Sequence, residues 1–271
     1  MPGVTFSYNG TEIADSSLMV PGRRILKSQG KYCDGDIAVD FENPDIWIKP
    51  KKDGKTRLYL TIPKDCDLDK LAIPLYWNQS VSEGVEVDWG DGISEPFTVS
   101  GTGNVSAPTP HEYPSSGNYV ITMTQKNDSA IMLGNGGTGS GILGDTGMNS
   151  NTQRGVLAAI ETGYGVTTMR NYCCCRHTSL KCVILGTDFE EFGNYVFQYC
   201  YGLGSIHFLG PSLPANNKIG ATNVWQNIPT WCKIYVPPAY MNGSETQNVP
   251  SRMPSSSTYT YAVEPYAYSA E

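Results

Sequence analysis

The chain has 271 residues, 39% of them hydrophobic and 17% charged, a length that allows one large domain or two small ones. Its net charge of −7 comes without the basic stripe that a nucleic-acid partner would require, and no apolar run approaches the roughly 20 residues needed to cross a bilayer. Abundant Gly (29), Pro (18) and Tyr (17), without a long amphipathic helix, favour a mainly β fold with many turns.

Residues 1–44 form a polar segment that begins without the basic and apolar regions of a signal peptide, so we expect a chain made without an export signal. Within it, ILKSQGKYCDGDI (25–37) resembles opening segments of bacteriophage tail and head-fibre proteins. The resemblance implies that residues 1–44 attach the chain to other virion or surface proteins, or let it form a homo-oligomer.

Residues 45–126 are predicted to form short strands, because apolar and polar residues alternate there and β-branched residues are enriched. Turn signals such as WGDG and PSSGN separate the strands at the spacing of a small β-sandwich. The strand-like runs are IWIKP, TRLYLTIP, LAIPLYW, VEVDW, EPFTV and YVITMT.

The run VDWGDG holds two carboxylates, Asp88 and Asp91, three positions apart. Such a pair could serve a glycosidase or bind Ca²⁺, but a Ca²⁺ site needs about six or more oxygens and a glycosidase needs a cleft. Gly90 and Gly92 supply the positive φ angles of a tight turn, and Asp beside Gly bonds its own backbone. We therefore expect turn chemistry, with a Ca²⁺ site on the two aspartates as the alternative.

This run and the sequence after it, HEYPSSGNYVITMT, resemble the polycystic-kidney-disease (PKD) type of immunoglobulin-like domain. The resemblance implies an immunoglobulin-like β-sandwich over residues 45–126. The residues that carry it are Asp88, Gly90, Asp91, Gly92, His111, Tyr113, Gly117, Tyr119 and Ile121.

A Gly-rich connection is predicted over residues 127–150. Its core, LGNGGTGSGILGDTG (133–147), suits either a linker or an irregular first turn of the unit that follows.

Residues 151–249 contain an internal repeat. MRNYCCCRHTSL (169–180) aligns with FGNYVFQYCYGL (192–203), so that Tyr172 falls on Tyr195, 23 residues further on. A fixed period of this length, with apolar residues at the same phase, is typical of a solenoid. A degraded copy from Ile219 to Val236 is predicted to form its terminal cap.

The repeat FGNYVFQYCYGLGSIHF resembles the leucine-rich repeats of BspA-like surface proteins, which implies a short leucine-rich-repeat array. Phe197, Cys200, Leu203, Ser205 and Ile206 carry the resemblance. The preceding repeat departs from it, with Cys174 in place of Phe197 and His177 in place of Cys200.

The eight cysteines show no regular disulfide spacing, and we expect them to be buried, reduced thiols. The run Cys173–Cys175 could bind zinc, but adjacent residues point in different directions. A Cys–His nucleophilic pair is a further alternative, yet the sequence supplies neither an orienting third group nor a nucleophile elbow. We therefore expect no enzyme activity, no resident metal and no cofactor.

Surface aromatic residues are the candidate ligand-binding side chains. Tyr199, Tyr201 and His207 alternate with apolar positions of the repeat and are predicted to face solvent, and Tyr164 and Trp225 join them if they are exposed. The alternative is that these are scattered surface aromatics without a ligand. The Tyr-rich tail, residues 250–271, contains the strand-like run STYTYAVEPYAY (257–268), which could cap the edge of the array or pair with a partner chain.

These observations predict a non-enzymatic adhesion or display protein. We expect a bacteriophage virion component (tail, fibre or capsid surface) that binds a host-surface protein or glycan through the repeat face. The alternative is a bacterial cell-surface leucine-rich-repeat adhesin whose leader is missing from the chain. Accessory modules of a secreted carbohydrate-active enzyme are a third class, which would require a catalytic domain that this sequence lacks.

Overall fold

The structure is a computed structural model and describes residues 6–8, 11–13, 53–66, 71–79, 84–97, 103–106, 110–125, 130–136, 140–145 and 155–265. The prediction of a mainly β protein is confirmed. Within these ranges the helical elements are two 3₁₀ turns, Asn216–Lys218 and Pro238–Tyr240. The predicted strand IWIKP, the phage-like stretch 25–37 and the end of the Tyr-rich tail lie outside the described residues.

Apart from IWIKP, all the strands predicted for residues 45–126 are present in the N-terminal half. The strands of this half are β1 (Phe6–Tyr8), β2 (Thr11–Ile13), β3 (Thr56–Ile62), β4 (Ala72–Ile73), β5 (Tyr76–Gln79), β6 (Val85–Asp88), β7 (Ser94–Phe97), β8 (Gly103–Ser106), β9 (His111–Glu112) and β10 (Gly117–Gln125).

The strands of the C-terminal half are shorter on average, and most of them belong to the repeat. They are β11 (Ile131–Leu133), β12 (Ser140–Gly141), β13 (Gly144–Asp145), β14 (Leu157–Glu161), β15 (Val166–Met169), β16 (Cys182–Leu185), β17 (Glu191–Phe192), β18 (Ser205–Phe208), β19 (Lys233–Val236), β20 (Met241–Asn242), β21 (Glu245–Thr246) and β22 (Thr260–Val263).

One long sheet runs through both halves of the described chain, in the order β22-β19-β18-β16-β14-β3-β10-β6-β7. The pairs from β7 to β14 are antiparallel, and those from β14 to β22 are parallel. A second sheet, β17-β15-β11-β5-β8, changes from antiparallel to parallel in the same way at β11. The two halves that the sequence separates therefore share both of their sheets.

The apolar side chains of both sheets belong to one buried cluster. It includes Trp77 and Val87 from the antiparallel half and Ile160, Phe197 and Ile206 from the parallel half. Strand β6 alternates buried and exposed residues, as a strand with one buried face should. Burial of apolar surface in this shared cluster joins the halves into one body.

The parallel half is a β-solenoid-like region of about four turns, as the repeat predicts. Cys182 pairs with Ala159 and Ser205 pairs with Cys182, both at the predicted spacing of 23 residues. The next two steps are longer, from Ser205 to Lys233 and from Lys233 to Thr260. Parallel strand pairing tolerates these longer connections, so the degraded copy still adds one strand to the stack.

The Gly-rich connection contributes to this stack. Strand β11 pairs in parallel with β15, and Ile142 is buried while its N–H donates to the Cys173 carbonyl at 2.8 Å. Arg170 Nη1 also donates to the Asn135 carbonyl at 2.6 Å. These contacts correspond to an irregular first turn, which is one of the two alternatives that the sequence leaves open.

The Tyr-rich tail caps the other end of the stack within the described chain. Strand β22 pairs in parallel with β19, and the Tyr261 hydroxyl donates to the Pro254 carbonyl at 2.6 Å. Among the described residues, β22 is therefore the last strand of the stack, as expected if this run caps the array, which is one of the two alternatives that the sequence leaves open.

Candidate functional site

Three successive turns of the solenoid lie along one edge, because each leads from the second sheet to the next strand of the long sheet. We call this the turn edge; it comprises residues 170–181, 193–204 and 220–232. Three N–H groups of the first turn donate to carbonyls of the second, and three equivalent groups of the second donate to the third. The pairs are Tyr172–Asn194, Cys174–Val196, Arg176–Gln198, Tyr195–Thr222, Phe197–Val224 and Tyr199–Gln226, at 2.8–3.0 Å.

Two columns of left-handed residues run along the turn edge. A non-glycine residue with positive φ costs about 1 kcal/mol or more, and asparagine tolerates it best. The third turn has Asn at both positions, so the backbone does not require a larger residue there. The columns are Tyr172, Tyr195 and Asn223 (φ 62°, 61° and 50°) and Arg176, Tyr199 and Asn227 (φ 63°, 62° and 61°).

Aromatic rings and a cation meet on this edge. The rings of Tyr172 and Tyr195 stack with centroids 4.6 Å apart and planes at 11°. The guanidinium carbon of Arg176 lies 5.4 Å from the centroid of Tyr199, whose ring is 6.0 Å from that of Tyr201. Tyr201 is 57% exposed. Burial, followed by the neighbouring phenol of Tyr195, raises the pKa of Tyr172, so its hydroxyl remains a donor at neutral pH.

Side-chain amides tie the turns together. Asn171 Oδ1 accepts a hydrogen bond from the Asn194 N–H at 2.7 Å, and Asn194 Oδ1 accepts one from the Thr222 N–H at 3.0 Å. Gln198 Nε2 donates to Gln226 Oε1. These bonds hold the aromatic side chains on a preorganised frame, which lowers the entropy that binding would cost.

The turn edge contains no carboxylate: its three segments hold no Asp and no Glu, while they include Arg170, Arg176 and Lys181. The opposite edge of the solenoid, residues 162–165, 186–190 and 209–218, carries Asp188 and Glu190. The local charge of the turn edge is therefore positive in a chain of net charge −7.

The structure brings only some of the predicted ligand-binding residues together. Tyr199 and Tyr201 lie side by side on the turn edge. Tyr164 is 51% exposed but lies on the opposite edge, where its N–H donates to the Gly54 carbonyl at 3.0 Å. Trp225 is half-buried: its ring lies 5.4 Å from Phe197, and its Nε1 donates to the Arg252 carbonyl at 2.7 Å.

The prediction that His207 faces solvent is wrong, because it is only 3% exposed. The alternation assumed that one face of strand β18 is buried, whereas all four of its residues are buried. His207 Nδ1 lies 2.8 Å from Glu264 Oε2, and its ring stacks on Tyr235 with centroids 4.3 Å apart. Burial lowers the pKa of His207, but hydrogen bonds with Cys182 and Glu264 outweigh it and raise the pKa to about 9.

Ser205, His207 and Glu264 are bonded in the order of a nucleophile, a base and its orienting acid. His207 Nε2 lies 3.1 Å from Ser205 Oγ. The hydroxyl is unsuited to catalysis where it stands, because Ser205 is fully buried and no substrate atom can approach it. We interpret the group as a structural link between β18 and the segment that follows β22.

The aspartates of VDWGDG bond the backbone of their own turn. Asp88 Oδ1 accepts from the Gly90 N–H at 2.8 Å, and Asp91 Oδ1 accepts from the Ile93 N–H at 3.0 Å. Asp91 Oδ2 lies 2.8 Å from His111 Nε2, so both of its oxygens are engaged. This arrangement is the predicted turn chemistry. Among the described residues, no group of three or more His, Cys, Asp and Glu side chains is arranged to hold a metal ion.

The cysteines of the turn edge fill its interior. Cys174 occupies the position of Phe197, and the Cys200 thiol donates to the Cys174 carbonyl at 2.9 Å. Burial raises the pKa of both Cys174 and Cys200 well above the ordinary value. The thiols therefore stay protonated, which disfavours nucleophilic attack.

Tyr172, Tyr195 and Arg176 belong to this surface and are not among the candidates predicted from the sequence. The alignment of Tyr172 with Tyr195 in the repeat was a signal that could have identified the stacked pair.

Comparisons with protein-family models, curated protein sequences and solved structures found no significant match. No helix in the described ranges is long and apolar enough to span a membrane.

Proposed function

We propose that this chain is a non-enzymatic adhesion or display protein of a bacteriophage virion, which binds a host-surface or mucosal ligand through its turn edge. The observation that carries the proposal is the group of Tyr199, Tyr201 and Arg176 beside the Tyr172–Tyr195 stack. Tyrosine and arginine supply contact area and hydrogen bonds with little loss of entropy, and they dominate many binding sites.

The rest of the chain acts as a stiff support in this proposal. Residues 45–126 form a PKD-type immunoglobulin-like sandwich, and the solenoid is a BspA-like leucine-rich-repeat array. The hydrogen bond from the Tyr113 hydroxyl to the Trp89 carbonyl, at 3.0 Å, and the stacking of Trp89 on His111 support a fixed junction around the VDWGDG turn. Two shared sheets resist bending between support and ligand surface. Residues 1–44 attach the chain to the particle.

Display on a bacterial cell surface is the second candidate, because a tyrosine-rich solenoid edge would serve adhesion there equally well. The two locations call for different experiments. Mass spectrometry of purified particles should detect the chain as a virion protein. Its recovery from the cell envelope and its absence from particles would favour the bacterial adhesin.

The binding half of the proposal is tested with the purified chain. It should bind host cells saturably and compete with particles for adsorption. A chain that neither binds cells nor slows adsorption at saturating concentration would contradict the adhesive function.

A further inference from the structure

We infer that the ligand of the turn edge is an acidic glycan, a sugar chain bearing carboxylates, which lies along the solenoid axis. This inference rests on the proposed function and specifies the chemistry of its ligand.

Charge is the first reason. The three turn segments lack Asp and Glu and contain Arg170, Arg176 and Lys181, whereas the chain as a whole carries −7. Since charges on exposed surfaces are screened beyond about 8 Å at physiological ionic strength, an anionic ligand experiences mainly the local cations. A guanidinium held beside an aromatic ring suits a carboxylate, which it can bind through two hydrogen bonds.

The chemistry of the exposed side chains is the second reason, and it favours a sugar over a protein. Protein interfaces need a central apolar patch that becomes dry on binding. The large exposed hydrophobic residues of the turn edge are Tyr201 and Trp231, whose rings carry polar groups, and they are accompanied by exposed Asn223, Gln226 and Asn227. Exposed rings with amides around them match the apolar faces and hydroxyl edges of sugar rings.

The third reason is that similar turns are stacked at a regular distance along the turn edge. Hydrogen-bonded turns repeat at about 4.8 Å, and the Tyr172 and Tyr195 rings are 4.6 Å apart. Tyr172 with Tyr195, and Gln198 with Gln226, present the same type of side chain on two successive turns. A polymer of similar units can therefore meet one turn after another, which a compact ligand cannot.

The test compares acidic polymers with neutral counterparts on the full chain. The probes are oligogalacturonate, hyaluronan and polysialic acid, each with its carboxyl-reduced form, in equilibrium binding at low and high salt. We expect at least one acidic polymer to bind at least tenfold more tightly than its reduced form, and the affinity to fall as salt rises.

Variants with matched folding properties locate the contact. Arg176→Asn should weaken binding about tenfold without unfolding the turn, because Asn227 holds the same left-handed position two turns on. Arg176→Lys should restore only part of the binding lost in Arg176→Asn, because lysine keeps the positive charge but cannot form the two parallel hydrogen bonds. Lys218→Gln, which removes an exposed cation paired with Glu191 on the opposite edge, should change nothing.

Equal affinity for acidic and reduced polymers, or equal losses from Arg176→Asn and Lys218→Gln, would overturn the inference. If no acidic polymer binds while the wild-type chain still adheres to host cells, the inference fails and the adhesive function stands. If adhesion to cells is also absent, both fail.

Discussion

The two edges of the solenoid use their polar residues in different ways. On the opposite edge, Asp188 Oδ2 accepts the Gly165 N–H at 2.7 Å and Thr162 Oγ1 accepts the Gly186 N–H at 2.7 Å, so these side chains complete the backbone hydrogen bonding. On the turn edge, Tyr and Arg occupy left-handed positions in the first two turns that Asn fills in the third. The fold accounts for the first set of residues, whereas the second set costs stability, a cost that the proposed binding role would explain.

The largest effect should come from closing the space between turns of the turn edge. A Cβ on Gly193 would lie 2.4 Å from Asn171 N and 2.7 Å from the Arg170 carbonyl carbon, whereas a Cβ on Gly210, on the opposite edge, would lie 3.1 Å from the nearest atom. We expect Gly193→Ala to lower the free energy of unfolding by about 3 kcal/mol and Gly210→Ala by about 1 kcal/mol. Urea titration measures both. Equal losses would mean that Gly193 is not the more closely packed of these two positions.

A second prediction concerns the pH dependence of stability that arises from His207, which lies in the long sheet between the two edges. Because the pKa of His207 is raised to about 9 from its ordinary value of 6.5, protonation stabilises the folded state. This contribution is complete below about pH 6.5 and is lost as the pH rises through about 9. Thermal unfolding from pH 6 to pH 10 should show the loss in the wild type.

Glu264→Gln is the control for this pH dependence, because it keeps the shape of the partner and removes its charge. It should be less stable than the wild type at pH 6 and should lose less stability towards pH 10. A parallel decline in both proteins would assign the pH dependence to other groups.

A smaller effect is expected from the opposite edge. Asp188→Ala leaves the Gly165 N–H to water and should cost about 1 kcal/mol or less of unfolding free energy, because Asp188 is exposed. Binding to host cells should stay unchanged, since the residue is remote from the turn edge. Loss of adhesion by a folded Asp188→Ala variant would show that the ligand does not bind at the turn edge alone.

The sequence predicts the solenoid well because its signals are local or periodic. The spacing that aligns Tyr172 with Tyr195 corresponds to strand pairing such as that of Cys182 with Ser205, and the hairpin at VDWGDG follows from Asp and Gly chemistry. The identity of the turn residues and the regular spacing of the apolar residues are sufficient for both predictions.

Other features depend on contacts that leave no local pattern. Strand β3 pairs with β14, about a hundred residues away, so the continuity of the sheets could not be inferred from neighbouring residues. Alternation in β18 indicated one buried face and could not reveal that its second face is buried too, which is why His207 was misplaced. The left-handed columns were missed because Tyr and Arg are not typical of positive φ.

Adhesion by paired edge variants tests the central claim most directly. Tyr199→Ala with Tyr201→Ala removes two neighbouring rings of the turn edge, the half-buried Tyr199 and the exposed Tyr201. Tyr164→Ala removes a ring of similar exposure, 51% against 57% for Tyr201, from the opposite edge. Binding of each folded protein to host cells is measured against the wild type. We predict a loss of about 1 kcal/mol or more per turn-edge tyrosine and an unchanged affinity for Tyr164→Ala. Unchanged adhesion of the Tyr199/Tyr201 variant, or an equal loss in Tyr164→Ala, would contradict the assignment of the ligand to the turn edge.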